Sequence, residues 1–183
     1  MTQLLSYWDA ILGELEQGHG VDVIYTDFSK AFDKVETGVL LHKLKECRIG
    51  GKVGCWLAAF LDSCTRQQAV VVDGRISPLL PVISGVPQGT VLGPVLFLVH
   101  LKDIGKELSP RTSASSFADD TRIQRGIYSY EDCSTLQSDL EHIYNWASDV
   151  NMHFNADKFE CIRLWPSSSK IWIILVLMAK SLR

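Results

Sequence analysis

Three aspartates have the residue type and spacing best suited to catalysis in this 183-residue sequence. Asp119 and Asp120 are adjacent in the segment SASSFADDTRI, which predicts two short strands folded back on each other at residues 118–120. A tight turn prefers Asn-Gly or Asp-Gly, in which a positive φ costs little, whereas two neighbouring carboxylates repel one another unless a cation neutralises them. The pair therefore suits a magnesium site, because Mg²⁺ prefers hard oxygen ligands and is commonly held by one or two carboxylates.

Asp27 follows the run VDVIYT, residues 21–26, whose β-branched and aromatic composition predicts a buried strand. An aspartate after a strand is also a common turn former or helix cap, and Asp33 is open to the same interpretation. Two metal ions about 3.5–4 Å apart can activate an attacking hydroxyl and stabilise the leaving oxygen in nucleotidyl transfer. That chemistry needs carboxylates from at least two strands. Asp27 and the pair Asp119-Asp120 supply them if the fold brings them together.

The elements that must position these aspartates predict an α+β fold, with antiparallel strands packed against helices. Apolar residues recur at helical spacing in five segments. The predicted helices are 2–17, 39–47, 53–62, 94–104 with Pro94 as the first helical residue, and 130–150. The predicted strands are 21–26, 68–72 and 79–83 around the turn Asp73-Gly74, two strands around 118–120, and 159–164.

Four motifs occur in order along the chain: DFSKAFDKV at 27–35, SGVPQGTVLGPVLF at 84–97, FADDT at 117–121 and NADKFE at 155–160. They resemble motifs A, B, C and D of reverse transcriptases, and the first is most similar to non-LTR (LINE-type) retrotransposons. The resemblance implies a polymerase palm, an antiparallel sheet packed on helices. It also implies an RNA-directed DNA polymerase that uses two Mg²⁺ ions to join a dNTP to a primer 3′-hydroxyl on an RNA template.

The resemblance implies a role for each residue at the metal site. Asp27 and Asp119 match the metal-binding aspartates, and Asp120 is the second carboxylate of motif C. Phe28 matches the position whose backbone carbonyl also reaches a metal. Lys158 matches the motif D lysine, a candidate general acid for the pyrophosphate leaving group. A lysine before a strand is otherwise most often a solvated surface residue.

Three further residues match the substrate pocket of the family. Phe32 matches the aromatic steric gate, whose ring clashes with a 2′-hydroxyl and so selects deoxynucleotides. Gln88 and Gly89 match motif B residues that line the nucleotide and template pocket, where glycine permits close backbone approach. The alternatives are a core phenylalanine on an amphipathic turn and a plain Gly-Pro turn.

The sequence departs from the family pattern at three places. Phe159 follows Lys158 where motif D more often has Lys-Thr. Neither the fingers motifs that precede motif A nor a thumb after motif D is recognised. We therefore expect residues 1–164 to be a partial reverse transcriptase domain, the palm core, and residues 165–183 an unmatched tail. The competing hypothesis is a catalytically inactive, truncated retrotransposon remnant, whereas a binding module that uses the acidic cluster has no positive support.

Composition limits the remaining possibilities. Apolar residues make up 46% of the chain and charged residues 21%, which is typical of a globular protein. The net charge of −3 argues against tight nucleic-acid binding by this segment alone. The odd number of cysteines, five, without a CxxC predicts reduced thiols, mostly in the core of a nuclear or cytoplasmic protein. The apolar run 171–179 is about half the roughly 20 residues that span a bilayer, so no membrane partner is expected, and no protein partner can be inferred.

Overall fold

The computed structural model describes residues 2–117 and 120–166. In chain order the helices and strands are α1 (Thr2–Glu16), β1 (Gly20–Asp27), α2 (Ala31–Lys34), α3 (Thr37–Glu46), α4 (Gly51–Leu61), β2 (Gln67–Gln68), β3 (Val71–Val72), β4 (Arg75–Ile76), β5 (Leu80–Pro81), α5 (Leu92–Leu101), β6 (Thr112–Phe117), β7 (Asp120–Ile127), α6 (Tyr130–Asp149) and β8 (Glu160–Leu164). A single 3₁₀ turn, Ala156–Lys158, precedes β8. The α+β prediction is confirmed.

The described residues form two compact units. The sheet unit comprises 2–29, 104–117, 120–147 and 153–166, and the helical unit comprises 30–103 and 148–152.

The sheet unit is built on a four-stranded antiparallel sheet of order β6-β7-β1-β8. Strand β1 is central, and it is buried along almost its whole length because helices cover both faces of the sheet. Helix α1 packs on one face, where Tyr7 and Ile11 join Val21 and Val23 in a buried cluster. On the other face, Asp22 of β1 pairs with Arg163 of β8, which also contacts Cys133 of α6. The central strand is thereby held rigidly.

Buried aspartates of α6 attach this helix to the sheet. Asp132 accepts a hydrogen bond from the Arg125 guanidinium of β7 at 2.9 Å, and Asp139 accepts one from the Thr112 hydroxyl of β6 at 2.5 Å. Burial by itself would raise the pKa of Asp132. Hydrogen bonds from the backbone N–H groups of Tyr128 and Ser129 and from Arg125 outweigh it and lower the pKa. The apolar periodicity of the sequence predicted the buried face of α6, but it did not predict these polar contacts.

The helical unit is centred on α3, which packs against α4 and α5. Lys43 of α3 is buried, and its ammonium donates to the backbone carbonyl of His100 at 2.6 Å and to Asp103 at 2.5 Å. His100 of α5 is itself fully buried. The contact between α3 and α5 therefore contains a charged network. Apolar periodicity alone predicts only hydrophobic packing there.

The predicted hairpin is confirmed at its turn and only in part along its arms. Asp73 and Gly74 have φ of 48° and 75°, as expected for a tight hairpin turn. The strands 68–72 and 79–83 are each broken, since pairing is limited to β3 with β4 and β2 with β5. Pro78 contributes to this interruption, because proline lacks the N–H that a ladder requires.

Helix α5 corrects the predicted boundaries. It begins at Leu92 and ends at Leu101, so Pro94 is not its first residue. The Thr90 hydroxyl accepts a hydrogen bond from the Gly93 N–H at 3.1 Å and so satisfies a donor of the first turn. Pro94 is tolerated one residue further on, because N–H groups in the first helical turn have no partner within the helix.

The cysteine prediction is also wrong in part. All five cysteines are free thiols, but only Cys133 is buried, and the other four are exposed. Among the described residues no helix is long and apolar enough to cross a membrane. The apolar run 171–179 and most of the predicted tail lie outside the described residues.

Candidate active site

The ends of two paired strands bring two of the candidate metal ligands together. Antiparallel pairing of β1 with β7 runs from Gly20 opposite Ile127 to Asp27 opposite Asp120. Residues directly opposite on antiparallel strands have Cβ atoms about 4.5–5.5 Å apart. Asp27 is only 5% exposed, whereas Asp120 is exposed. Asp119, the third carboxylate of the prediction, lies outside the described residues.

The two carboxylate oxygens of Asp27 have different environments. Oδ2 forms an ion pair with the Lys158 ammonium at 2.8 Å. Oδ1 is buried, and no other described residue gives it a hydrogen bond. A buried carboxylate oxygen without a donor is costly, so native structures place such atoms where a partner, water or ion satisfies them. Mg²⁺ prefers hard oxygen ligands such as carboxylates. Oδ1 of Asp27 and the carboxylate of Asp120 on the paired strand are ligands of that kind.

A cavity of about 570 Å³ opens over these strand ends. Its lining includes Asp27, Asp120, Lys158, Arg122 and Phe117, all in the sheet unit. Within residues 2–117 and 120–166, no set of three or more His, Cys, Asp or Glu side chains is gathered closely enough to hold a metal ion. The cavity lining also includes Asp157 and Glu160, so the described residues place four carboxylates there with the Lys158 ammonium and the Arg122 guanidinium.

The segment that carries Lys158 is fixed to the end of β1. Backbone hydrogen bonds run from Asn155 N–H to the Asp27 carbonyl and from Ser29 N–H to the His153 carbonyl, both at 2.8 Å. These bonds flank the bridge between Phe28 and Phe154, and they do not use the Phe28 carbonyl. The Phe28 ring is buried and stacked on Phe154 at 4.4 Å. The Phe28 side chain therefore packs between the end of β1 and the segment that carries Lys158. Its backbone carbonyl, the group predicted to contact a metal, is not used by these bonds.

A second cavity, of about 500 Å³, lies in the helical unit and is lined by Phe32, Gln88 and Gly89, with residues of the same loop. The Phe32 ring stacks on Phe97 of α5 with centroids 4.5 Å apart and an angle of 19° between the planes. The Gln88 side-chain amide donates to the Asp33 carboxylate at 2.8 Å. The structure thus places the three predicted substrate residues together.

The motif B loop is held against the turn after β1. Gly85 N–H donates to the Val35 carbonyl, and Val86 N–H donates to the Phe32 carbonyl, both at 2.8 Å. A Cβ on Gly85 would lie 2.8 Å from the Asp33 Cα, so Gly85 is where close backbone approach requires glycine. Gly89 has open space around it on the cavity side, and its φ of +74° favours glycine. Its predicted close approach to a nucleotide or template stays a prediction.

Sequence reasoning missed the role of Arg66. Its guanidinium donates to the carbonyls of Gly85 and Ser84 at 2.9 and 3.0 Å, which fixes the start of the motif B loop. A polar side chain between a helix and a hairpin gives no periodic signal, so nothing in the sequence singled it out. Asp33 was noted only as a turn residue, and its contact with Gln88 depends on a loop 55 positions away.

Comparison with known proteins gives these arrangements a family context. The sequence matches the reverse transcriptase (RNA-dependent DNA polymerase) family over residues 13–172. The RNA-directed DNA polymerase from mobile element jockey of Drosophila melanogaster is 33% identical over 142 residues, 73% of this chain and 15% of that protein. The probable RNA-directed DNA polymerase from transposon X-element of the same species is 28% identical over 162 residues, 86% of this chain and 18% of that protein. The chain spans less than a fifth of these curated relatives.

Solved structures show the same architecture. Apo telomerase from Candida tropicalis, truncated from its C-terminal domain, superposes with a TM-score of 0.62 at 14% identity, over 92% of this chain and 35% of that one. Telomerase from Candida albicans, in complex with a TWJ fragment of telomeric RNA, gives 0.58 at 16% identity, over 92% and 31%. At this identity the likeness shows the fold alone, a palm-like antiparallel sheet packed with helices.

Proposed function

Because this chain belongs to the reverse transcriptase (RNA-dependent DNA polymerase) family, with LINE-type elements among its relatives, we propose that it acts in RNA-directed DNA synthesis. The reaction is transfer of a deoxynucleotide from a dNTP to a primer 3′-hydroxyl. The observation that carries the proposal is the buried Asp27 carboxylate, placed opposite Asp120 with its Oδ1 unpaired among the described residues.

Reverse transcriptases depend on divalent metal ions, and two Mg²⁺ ions suit this site. Asp27 and Asp120 would hold them together with Asp119, which adjoins Asp120 in the sequence, and with the Phe28 carbonyl. When bound, such ions lower the pKa of an attacking hydroxyl and neutralise charge on the leaving oxygen. Asp27 is suited to hold a metal ion because the sheet fixes its backbone and burial restricts its side chain.

Lys158 supplies the cation that pairs directly with Asp27. Its ammonium is a hydrogen-bond donor at the edge of the same cavity, so it can give a proton to a pyrophosphate leaving group as a general acid. In the helical unit, the stacked Phe32 ring presents a rigid wall to a nucleotide sugar, where a 2′-hydroxyl would meet it. Gln88 and Gly89 line the same cavity and would contact the nucleotide and template.

The macromolecular partner of this reaction is an RNA template paired with a DNA primer. A net charge of −3 leaves this segment without the basic excess that usually grips phosphates. We therefore expect weak binding by the chain alone. The proposed function requires positioning of a primer end at the carboxylates and does not require tight binding.

Primer extension on an RNA template with Mg²⁺ and dNTPs tests the proposal. Asp27→Asn should lower extension by about 100-fold or more, because it removes a metal-binding charge without changing side-chain size. Asp9→Asn is the matched control, since Asp9 lies on an exposed part of α1. If the unaltered chain extends the primer no more than Asp27→Asn does, the result supports the alternative, an inactive retrotransposon remnant.

A further inference from the structure

We propose that Lys158 is the resident counter-ion of Asp27 and that a divalent cation must displace its ammonium to reach both carboxylate oxygens. This inference rests on the proposed function, since it concerns how the same carboxylate takes up its metal. It assigns Lys158 a role before chemistry begins, as a positioning residue that holds Asp27 ready and competes with the metal.

The ion pair joins the buried Asp27 carboxylate to the ammonium of an exposed lysine side chain. The Asp27 side chain is 8% exposed and stands at the end of the central strand, whereas the Lys158 side chain is 61% exposed. Asp27 therefore cannot move away from its partner without disturbing β1. Lysine carries its ammonium on four flexible methylenes, so the head group can change position without movement of the backbone.

The backbone keeps the ammonium near the carboxylate even after displacement. Asn155 N–H donates to the carbonyl of Asp27 itself, and the Asn155 side chain accepts from Asp157 N–H, which caps the 3₁₀ turn that ends at Lys158. The stack of Phe28 on Phe154 fastens the same segment. Lys158 is thus tied to residue 27 through its backbone, independently of the ion pair.

Charge decides the direction of the effect. The ammonium neutralises Asp27 Oδ2, and its positive charge also repels an approaching divalent cation. Removal of the ammonium should strengthen metal binding. An ion pair with one exposed partner is weak, so we expect its loss, together with relief of the repulsion, to tighten metal binding by about three- to tenfold.

The test measures Mn²⁺ binding to the purified chain by electron paramagnetic resonance of the free ion, without nucleotide or primer. We expect Lys158→Gln to bind Mn²⁺ about three- to tenfold more tightly than the unaltered chain. Lys158→Arg retains the charge and should bind nearly as the unaltered chain does. Lys106→Gln makes the same change of net charge at an exposed residue of the same unit, and it should have no effect. Asp27→Asn should abolish the difference between lysine and glutamine at position 158.

Equal or weaker Mn²⁺ binding by Lys158→Gln overturns the inference, and so does an equal gain in Lys106→Gln. Absence of binding in all variants overturns it as well, because removal of the ammonium would then not open the site. Primer extension separates these results from a failure of the proposed function. Extension by the unaltered chain, with unchanged Mn²⁺ affinity in Lys158→Gln, leaves the polymerase proposal standing and removes only the competition.

Discussion

Asp27 and Asp120 occupy directly opposed positions on β1 and β7, yet the first is buried and the second exposed. Asp27 ends the central strand of the sheet and pairs with the Lys158 ammonium. Asp120 begins a strand at the cavity surface. The pairing therefore places one buried and one accessible carboxylate at the same end of the sheet.

The stack between Phe32 and Phe97 predicts the effect of enlarging the second cavity. Phe32→Ala removes the ring proposed to exclude a 2′-hydroxyl, so the preference for dNTP over the matching rNTP should fall by about tenfold or more. Loss of the half-buried ring should also cost about 1–3 kcal/mol of stability. The ratio of kcat/KM for the two nucleotides measures the selectivity. Phe32→Tyr keeps the stacked ring and should keep the preference; an unchanged ratio in Phe32→Ala would remove Phe32 from the role of steric gate.

The Asp33–Gln88 hydrogen bond predicts a change in nucleotide binding. A carboxylate only accepts, so Asp33 holds the Gln88 amide with its NH₂ group toward itself and leaves the side-chain oxygen as the available acceptor. Asp33→Ala frees that amide and should raise KM for dNTP about two- to fivefold, with little change in kcat. Steady-state primer extension measures both constants, and Asp9→Ala serves as control. If Asp33→Ala lowers kcat alone, the contact does not position the nucleotide.

Two glycines of the motif B loop predict unequal costs for the same substitution. Gly85→Ala combines a φ of +88° with a Cβ placed 2.8 Å from the Asp33 Cα and from the Phe32 carbonyl oxygen. We expect it to destabilise the protein by about 3 kcal/mol or more, because backbone must move. Gly89→Ala has the positive φ but open space, so it should cost about 1 kcal/mol. Urea unfolding compares the two variants, and equal losses would contradict the observed packing of the loop.

Buried His100 predicts loss of stability in mild acid. Burial, followed by the nearby Lys43 ammonium, lowers the pKa of His100 to about 4, while Asp103 acts weakly in the opposite direction. The unfolded chain, with a histidine pKa of about 6.5, binds a proton first as pH falls. This contribution is therefore complete above about pH 6.5 and declines toward pH 4, by about 2 kcal/mol at pH 5.

Urea unfolding at pH 7.5 and pH 5 measures this dependence. His100→Leu should flatten it, since both ring nitrogens lack hydrogen-bond partners among the described residues and an apolar side chain can fill the space. His142→Gln is the control, because His142 is exposed on α6. A pH dependence that survives in His100→Leu would assign it to other groups.

The sequence by itself determined the secondary structure and the composition of the site. Apolar spacing predicted α1 and α6, and β-branched and aromatic composition predicted β1, each to within a residue or two. Ordered motifs identified the family and named its aspartates, since those residue types carry the chemistry directly. The boundaries of α5 and the arms of the hairpin were less well predicted, because they depend on the Thr90 cap and on prolines that interrupt pairing.

Only the tertiary structure decided which residues meet. The opposition of Asp27 and Asp120 depends on strand register, and the ion pair of Asp27 with Lys158 joins positions far apart in sequence. The Asp33 contact with Gln88 likewise requires the motif B loop to close on the turn after β1. The apolar period of a sequence specifies which face of an element is buried. Strand register, loop closure and side-chain pairing depend on packing between segments that are distant in sequence. Only the folded chain therefore brings these carboxylates together.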